Sequence, residues 1–476
     1  MSGNFEDVSK NKRNTIIILA DFVLFCLLIK FLPFEPAPSK GLALLAFVAV
    51  LWLTEAVHVT VTALFVPVLA ILLGLVSSKE ALVAFADPTI FLFFGGFALA
   101  TALHMQKIDR LIANKIMALA NGNLFRAVLF LFVITAFLSM WMSNTATAAM
   151  MIPLAMGILS NMVPEKEHNT YTFVLLGIAY SASIVGMGTL VGSPPNASIV
   201  GMGTLVGSPP NAIVASQLHL SFASWLKYGI PIMLILFPMM VAILYFNFRP
   251  KFNQKFQYNF EKIRMDRNRI ITLAIFLIVV ICWIFGGTVN PFLSELLGLK
   301  GQIANFDSIV GLIAALLLCV SHVVTWNDLH NNTEWGVLYL FGGGLTLSAV
   351  LTHTGASRIM ADGIVALIEG QSYYVICLTI AAFIILLTEF TSNTASAALL
   401  VPIFISIAES LNMSPLGFAL IIGLGASCAF MMPVGTPPNA IVFSTGMVKQ
   451  KEMLRSYKIN LTCIFVISAI GYLFWL

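Results

Sequence analysis

Apolar runs long enough to form membrane-spanning helices recur along almost the whole chain, at 14–32, 42–57, 59–76, 88–105, 172–190, 227–246, 268–286, 308–326, 335–352, 417–434 and 459–476. A helix crossing the hydrocarbon core takes roughly 20 residues. The pattern therefore predicts an all-α polytopic membrane protein with about eleven transmembrane helices. Two further apolar stretches, 127–163 and 373–409, are too long for one crossing. Near its middle each carries a polar triplet, Ser143-Asn144-Thr145 in the first and Ser392-Asn393-Thr394 in the second. Polar backbone is tolerated at membrane depth only where it faces protein or a water-filled cavity. Each stretch thus reads as two half-helices of roughly 16 residues, about 24 Å at 1.5 Å per residue, folded into a re-entrant hairpin with the triplet at its tip.

The two hairpins belong to a larger duplication. They continue alike, as SNTATAAMMIP and SNTASAALLVP, and each is followed downstream by a Gly-Ser/Thr-Pro-Pro-Asn-Ala turn. Phe94-Gly95-Gly96 precedes the first triplet by about the distance that Phe341-Gly342-Gly343 precedes the second. We divide the chain accordingly. Residues 1–41 are a tail and an accessory first helix. A first repeat follows at 42–246, with its broken helix around 172–226. A linker at 247–267 leads to the second repeat at 268–476, with its broken helix around 417–446. With the N-terminus in the cytoplasm, 19 of the 25 lysines and arginines fall in inside loops, as the positive-inside bias requires. An odd number of spans, five, then separates the hairpins, so the repeats are inverted and the C-terminus lies outside. Paired broken helices in inverted repeats point to a secondary transporter with its site near the bilayer midplane.

Composition agrees with a membrane as solvent: 59% of residues are hydrophobic and only 10% charged, with a mean hydropathy of +0.95, far from soluble domains. The net charge of +4 resides in loops and implies no nucleic-acid partner. Six cysteines stand singly in apolar segments and read as small core residues. The first apolar run lacks a small-residue cleavage site and reads as a span, not a signal peptide. Seven scattered histidines form no HExxH or acid-paired motif, which argues against an intramembrane enzyme. A channel would also use polar linings, but inverted hairpin pairs favour alternating access.

The tips offer two chemistries. Ser, Thr and Asn side chains, with backbone N–H groups at half-helix N-termini, can hold a carboxylate. Carbonyl oxygens freed where Pro and Gly break a helix, completed by Asn and Ser oxygens, suit an alkali cation. Neither tip contains Lys or Arg, so an anionic substrate would have its charge met by dipoles and co-bound cations. Of the acids inside apolar runs, Asp21, Glu55, Asp87 and Glu389, only Glu389 neighbours a triplet. A proton carrier needs an ionisable group at the site, so sodium is the expected coupling ion, with a cation site at each hairpin.

The paired SNT hairpins, the TEFTSNTASAALL stretch and the paired GxPPN turns resemble the divalent anion:sodium symporter family over nearly the whole chain, above all its bacterial carriers of C4-dicarboxylates. The resemblance implies sodium-coupled symport of succinate, malate and fumarate across the inner membrane, with at least two sodium ions. It also implies a homodimer working as an elevator. By that resemblance one sodium site uses Ser139, Ser143 and Asn144 with a carbonyl of the first GxPPN turn, at Gly192 or Gly207. The other uses Thr388, Thr391 and Asn393 with Gly435. Substrate carboxylates fall to Ser143, Asn144, Thr145, Ser392, Asn393 and Thr394, with Thr436 and Pro437 nearby. Citrate, sulfate or proton-coupled transport within the family is the competing expectation.

One feature departs from the family. Residues 182–196 recur unchanged at 197–211, so two chemically identical segments compete for one place at the first site, and we expect impaired or alternating sodium binding there. The linker, with Phe252, Phe256, Tyr258 and Phe260 among basic residues, reads equally as an amphipathic arm on the inner leaflet or as a plain connector.

Overall fold

Polar breaks, glycines and prolines cut this apolar chain into short helices, and a computed structural model shows where each one starts and stops. It describes residues 3–159, 162, 167–188, 209–252, 263–368 and 370–475. A first helix, α1 (Gly3–Phe31), is followed by α2 (Pro36–Thr54), α3 (Val59–Leu72) and the short α4 (Ser78–Val83), then α5 (Pro88–Met105), α6 (Ile108–Ala118), α7 (Leu124–Ser139), α8 (Asn144–Leu159), α9 (His168–Gly188), α10 (Pro209–Gln217) and α11 (Phe222–Phe248). The chain continues through α12 (Arg267–Ile284), α13 (Gly286–Leu296), α14 (Phe306–Val320), α15 (Trp326–Asn332), α16 (Trp335–Thr354), α17 (Ala356–Ile368), α18 (Tyr373–Thr388), α19 (Asn393–Ser410), α20 (Pro415–Gly425), α21 (Pro437–Ser444), α22 (Gln450–Leu454) and α23 (Tyr457–Ile470).

Each stretch predicted as a hairpin is indeed two helices broken at the triplet: 16 and 16 residues around Ser143, 16 and 18 around Ser392. Every predicted span meets a helix, but not always a long one. Eight helical segments of the described residues are long and apolar enough to cross a membrane, and one of them is Asn393–Ser410, half of the second hairpin. Predicted span 417–434 shrinks to α20, which ends at Gly425, because Ala426 to Thr436 is needed as irregular backbone before the Pro437-Pro438 turn. The short amphipathic helices α6, α13 and α17 were not read from the sequence at all; in an apolar chain their polar faces look like loops.

The helices gather into two compact units. One contains Met1–Ile90, Trp335–Ala426 and Ser468–Leu476, the other Phe91–Glu334 and Ser427–Ile467. In the first, α16 lies along α3, and α19 packs on α17 and α20. A Cβ at Gly343 would stand 2.5 Å from the Ala63 carbonyl oxygen, so only glycine lets α16 and α3 approach at backbone distance. The second unit is built on α9, against which α7, α8, α11 and α21 all pack. Consistent with a helix buried on every side, α9 is buried continuously from Thr170 to Val185. Gly95 plays the role of Gly343 in this unit, since a Cβ there would overlap the Gly311 backbone of α14. The Phe-Gly-Gly motifs are therefore helix-crossing points. Outward positions are apolar, as with Phe22, Val23 and Leu27 on α1 and Leu277, Ile278 and Ile281 on α12, faces that suit lipid and not water.

Of the linker, 253–262 lies outside the described residues, with Phe256, Tyr258 and Phe260. Phe252 packs its ring 5.2 Å from Phe125 and 6.0 Å from Phe173.

Candidate functional site

At the first hairpin the chain leaves α7 after Ser139 and re-enters helix at Asn144. Ser139 is fully buried, and its Oγ meets two oxygens, Asn144 Oδ1 and the backbone carbonyl of Ala182 at 2.8 Å. At the second hairpin Thr388 Oγ1 meets Asn393 Oδ1 at 2.5 Å and the Ala426 carbonyl at 2.8 Å. The two clusters, one in each unit, have the same composition: a hydroxyl from the end of the first half-helix, the amide oxygen from the start of the second, and a main-chain oxygen from the next segment, Ala182 inside α9 or Ala426 just after α20.

The proton count makes these triads informative. A hydroxyl has one proton, whereas an amide oxygen and a carbonyl oxygen only accept. With the amide oxygen turned inward, one O···O approach in each triad has no proton between its atoms, and a cation relieves it. With the amide turned over, its NH2 donates to the hydroxyl, the hydroxyl donates to the carbonyl, and the triad closes without an ion. A hard oxygen cluster that can be satisfied either way is suited to binding and releasing an alkali cation.

The triplets themselves start helices. Ser143 Oγ accepts from the Ala146 amide at 3.3 Å and Ser392 Oγ from the Ala395 amide at 3.4 Å, so both tips put helix N-termini, with their positive dipole ends, at the break. Ser143, Asn144 and Thr145 are each half-buried, as are Ser392, Asn393 and Thr394. Thr391 is turned elsewhere, toward the Leu387 carbonyl at 2.9 Å and Ser396 Oγ at 2.7 Å. Thr436 caps α21 by accepting from the Asn439 amide at 3.3 Å, with Pro437 at the first helical position. The Asn439 side-chain Nδ2 donates to the Ala429 and Met432 carbonyls, both at 3.0 Å, holding the turn that contains Gly435. Helix α21 packs on α8 and α9, so this turn belongs to the unit of the first hairpin. Tyr180 OH, at 2.6 Å from the Phe430 carbonyl, ties α9 to the same segment.

Gly192 and Gly207 lie outside the described residues. The duplication is nevertheless used at both ends: 182–188, from the first copy, completes α9 and supplies the triad carbonyl, while Pro209, Pro210 and Asn211, from the second copy, open α10.

Three site residues escaped the sequence reading. Ala182 and Ala426 act through main-chain oxygens, which carry no side-chain signature; an Ala-Ser pair at each place, Ala182-Ser183 and Ala426-Ser427, is the trace they leave. Glu334, between α15 and α16, is exposed and lies near enough to Ser143 for the hydroxyl to influence its carboxyl.

A broken-helix pair with an oxygen triad at each break, in a chain with apolar outer faces, defines a multi-span membrane transporter. The profile of the citrate transporter family matches residues 49–423 and 390–476, and the chain belongs to that family. It is 64% identical over 468 residues to an uncharacterized transporter of Haemophilus influenzae, covering 98% of each chain. It is 31% identical over 501 aligned residues to the sodium-dependent dicarboxylate transporter SdcS of Staphylococcus saprophyticus, covering 98% of this chain and 93% of the relative. The fold is similar to the crystal structure of the Alcanivorax borkumensis YdaH transporter, with a TM-score of 0.53 at 14% identity over 82% of this chain and 85% of the other. The protein is a transporter and not an enzyme.

Proposed function

We propose that this protein is a sodium-coupled symporter of C4-dicarboxylates such as succinate, malate and fumarate. The observation that carries the reading is the oxygen triad, found once at each hairpin with the same three kinds of oxygen. Sodium takes hard oxygen ligands, and two triads match an expectation of at least two ions. Ser139, Ser143 and Asn144 with the Ala182 carbonyl form the first site. Thr388 and Asn393 with the Ala426 carbonyl form the second, and Thr391 and Gly435 are its further candidates. The candidate ligands of the substrate carboxylates are the triplet hydroxyls and amides of each hairpin, Ser143, Asn144 and Thr145 and Ser392, Asn393 and Thr394, together with Thr436 and Pro437. Bound sodium supplies the positive charge that neither tip has in its side chains.

The name of the SdcS relative supports both the ion and the substrate class. We further propose a homodimer in the inner membrane, two inverted repeats with re-entrant hairpins, and alternating access by an elevator movement. Citrate is the second reading, favoured by the family profile. Uptake of labelled succinate into proteoliposomes, challenged with unlabelled malate, fumarate, citrate and sulfate, separates the two. Competition by the C4 acids alone is expected; uptake inhibited by citrate and not by malate overturns the substrate assignment.

A further inference from the structure

Helices α7 and α11 both pack on α9, and the space between them forms a groove of about 490 Å³. Phe125 and Leu129 of α7 make one wall, Pro238, Ala242 and Phe246 of α11 the other, and Phe173 of α9 the floor. Residues four apart share a helix face, so the α11 wall runs straight for about 12 Å from 238 to 246, and the small Pro238 and Ala242 keep it open. The wall belongs to the apolar stretch Ala223–Phe248, long enough to cross a membrane, so the groove lies at membrane depth and takes a hydrocarbon chain. Aromatic rings close one end: Phe252 stands 5.2 Å from Phe125 and 6.0 Å from Phe173, and Tyr245 6.3 Å from Phe173. Next to these rings in the chain come Arg126, Arg249 and Lys251, all exposed and none in an ion pair among the described residues. We propose that the groove binds an anionic phospholipid, one acyl chain lying between α7 and α11 and the phosphate held by Arg126, Arg249 and Lys251.

The charges, not the apolar walls, make the site selective. Lipid tails are as apolar as the side chains that line the groove, so the headgroup decides which lipid stays. Arginine and lysine are the side chains that hold phosphate, and basic clusters at the cytoplasmic end of a span draw anionic headgroups. The backbone fixes these three in place. The Arg249 amide donates to the Tyr245 carbonyl at 2.7 Å and closes α11, and the Lys251 amide donates to Thr170 Oγ1 on the first turns of α9 at 3.0 Å. Arg126 lies in the first turn of α7, where the positive dipole end adds to its charge. No Asp or Glu occurs in 121–129 or 237–252. At the start of α9, Glu452 of α22 is engaged by His168 at 2.7 Å and Glu167 precedes the helix, which leaves the rim in positive excess. The second proposed repeat supplies a contrast. There Tyr374 of α18 and Tyr472 meet edge to face at 5.8 Å and the two segments touch, and no Lys or Arg lies in 371–388 or 468–476. The lipid site is thus a property of the first repeat.

The test is native mass spectrometry of the purified full chain titrated with dioleoyl phosphatidylglycerol or dioleoyl phosphatidylcholine, which share acyl chains and differ in net charge. Each basic side chain near the surface favours an anionic lipid about fivefold, so the first phosphatidylglycerol is expected to bind at least about tenfold more tightly than the first phosphatidylcholine. Combining Arg126→Gln, Arg249→Gln and Lys251→Gln is expected to abolish that preference. Combining Lys12→Gln, Arg13→Gln and Arg267→Gln, at exposed basic residues of α1 and α12, is expected to leave it. No preference in the wild type, or equal loss in the two triple variants, overturns the proposal. Ala242→Trp fills the groove without altering a charge and is expected to weaken the first binding step of both lipids several-fold. Undiminished binding in Ala242→Trp overturns the proposal, and if that variant instead loses dimer mass, the groove is an interface between two copies of the chain.

Discussion

At the scale of residues, the account turns on Ser139 and Thr388, each the single hydroxyl between two acceptor oxygens. Replacing Ser139 by Ala or Thr388 by Val removes one ligand from a triad while leaving the hairpin's apolar packing. Each substitution is expected to raise the sodium concentration for half-maximal transport about tenfold, equivalent to ~1.4 kcal/mol. Thr391→Val is the control that geometry suggests: its hydroxyl bonds Leu387 and Ser396. Its loss is expected to cost about 1 kcal/mol of stability with a smaller effect on sodium. A sodium titration of transport rate in the three variants checks the ranking, and equal shifts in all three would place Thr391 in the site instead. The side-chain half of each triad, Ser139 with Asn144 and Thr388 with Asn393, was already singled out by the family resemblance. The main-chain half was not, since any residue can present a carbonyl. Glu334 was hidden differently, as an acid flanking a span, which normally reads as an interfacial residue.

Among the elements, the half-helices were readable because a polar triplet inside a long apolar stretch has few physical solutions. The termini of α20 and α10 were less so, being set by the broken turns. The duplicated segment is the sharpest case. Because its two copies are identical, removing 182–196 or 197–211 yields the same chain, in which an Ala-Ser pair still follows Tyr180-Ser181 and a Ser-Pro-Pro-Asn turn still opens α10. The deletion is therefore expected to keep sodium-dependent transport and to raise its rate, as one competing segment disappears. A slower rate, measured as initial uptake per reconstituted protein, would show the extra copy to be functional. Helix α1 offers a separate test. Asp21 is buried, and neither of its carboxylate oxygens has a hydrogen-bond partner among the described residues. An unpaired buried polar group costs about 1–3 kcal/mol, so Asp21→Leu is expected to raise the thermal unfolding midpoint by a few degrees. A lower midpoint would show that Asp21 has a stabilising role.

For the whole molecule, the membrane class and the family were legible from hydropathy and the paired motifs, whereas the grouping of helices was not. The proposed repeats divide the chain near its middle, yet each compact unit draws on both halves, because helix partners are chosen by packing faces that single-sequence periodicity cannot rank. Each unit nonetheless holds one hairpin and one triad. The central claim is that this pair of triads couples sodium to dicarboxylate movement. Its most direct test is the initial rate of succinate uptake into proteoliposomes as a function of external sodium at fixed pH, with potassium as replacement. The account predicts an absolute sodium requirement and a sigmoidal dependence reflecting at least two ions. Uptake that proceeds equally in potassium, or that follows a proton gradient in the absence of sodium, would contradict it.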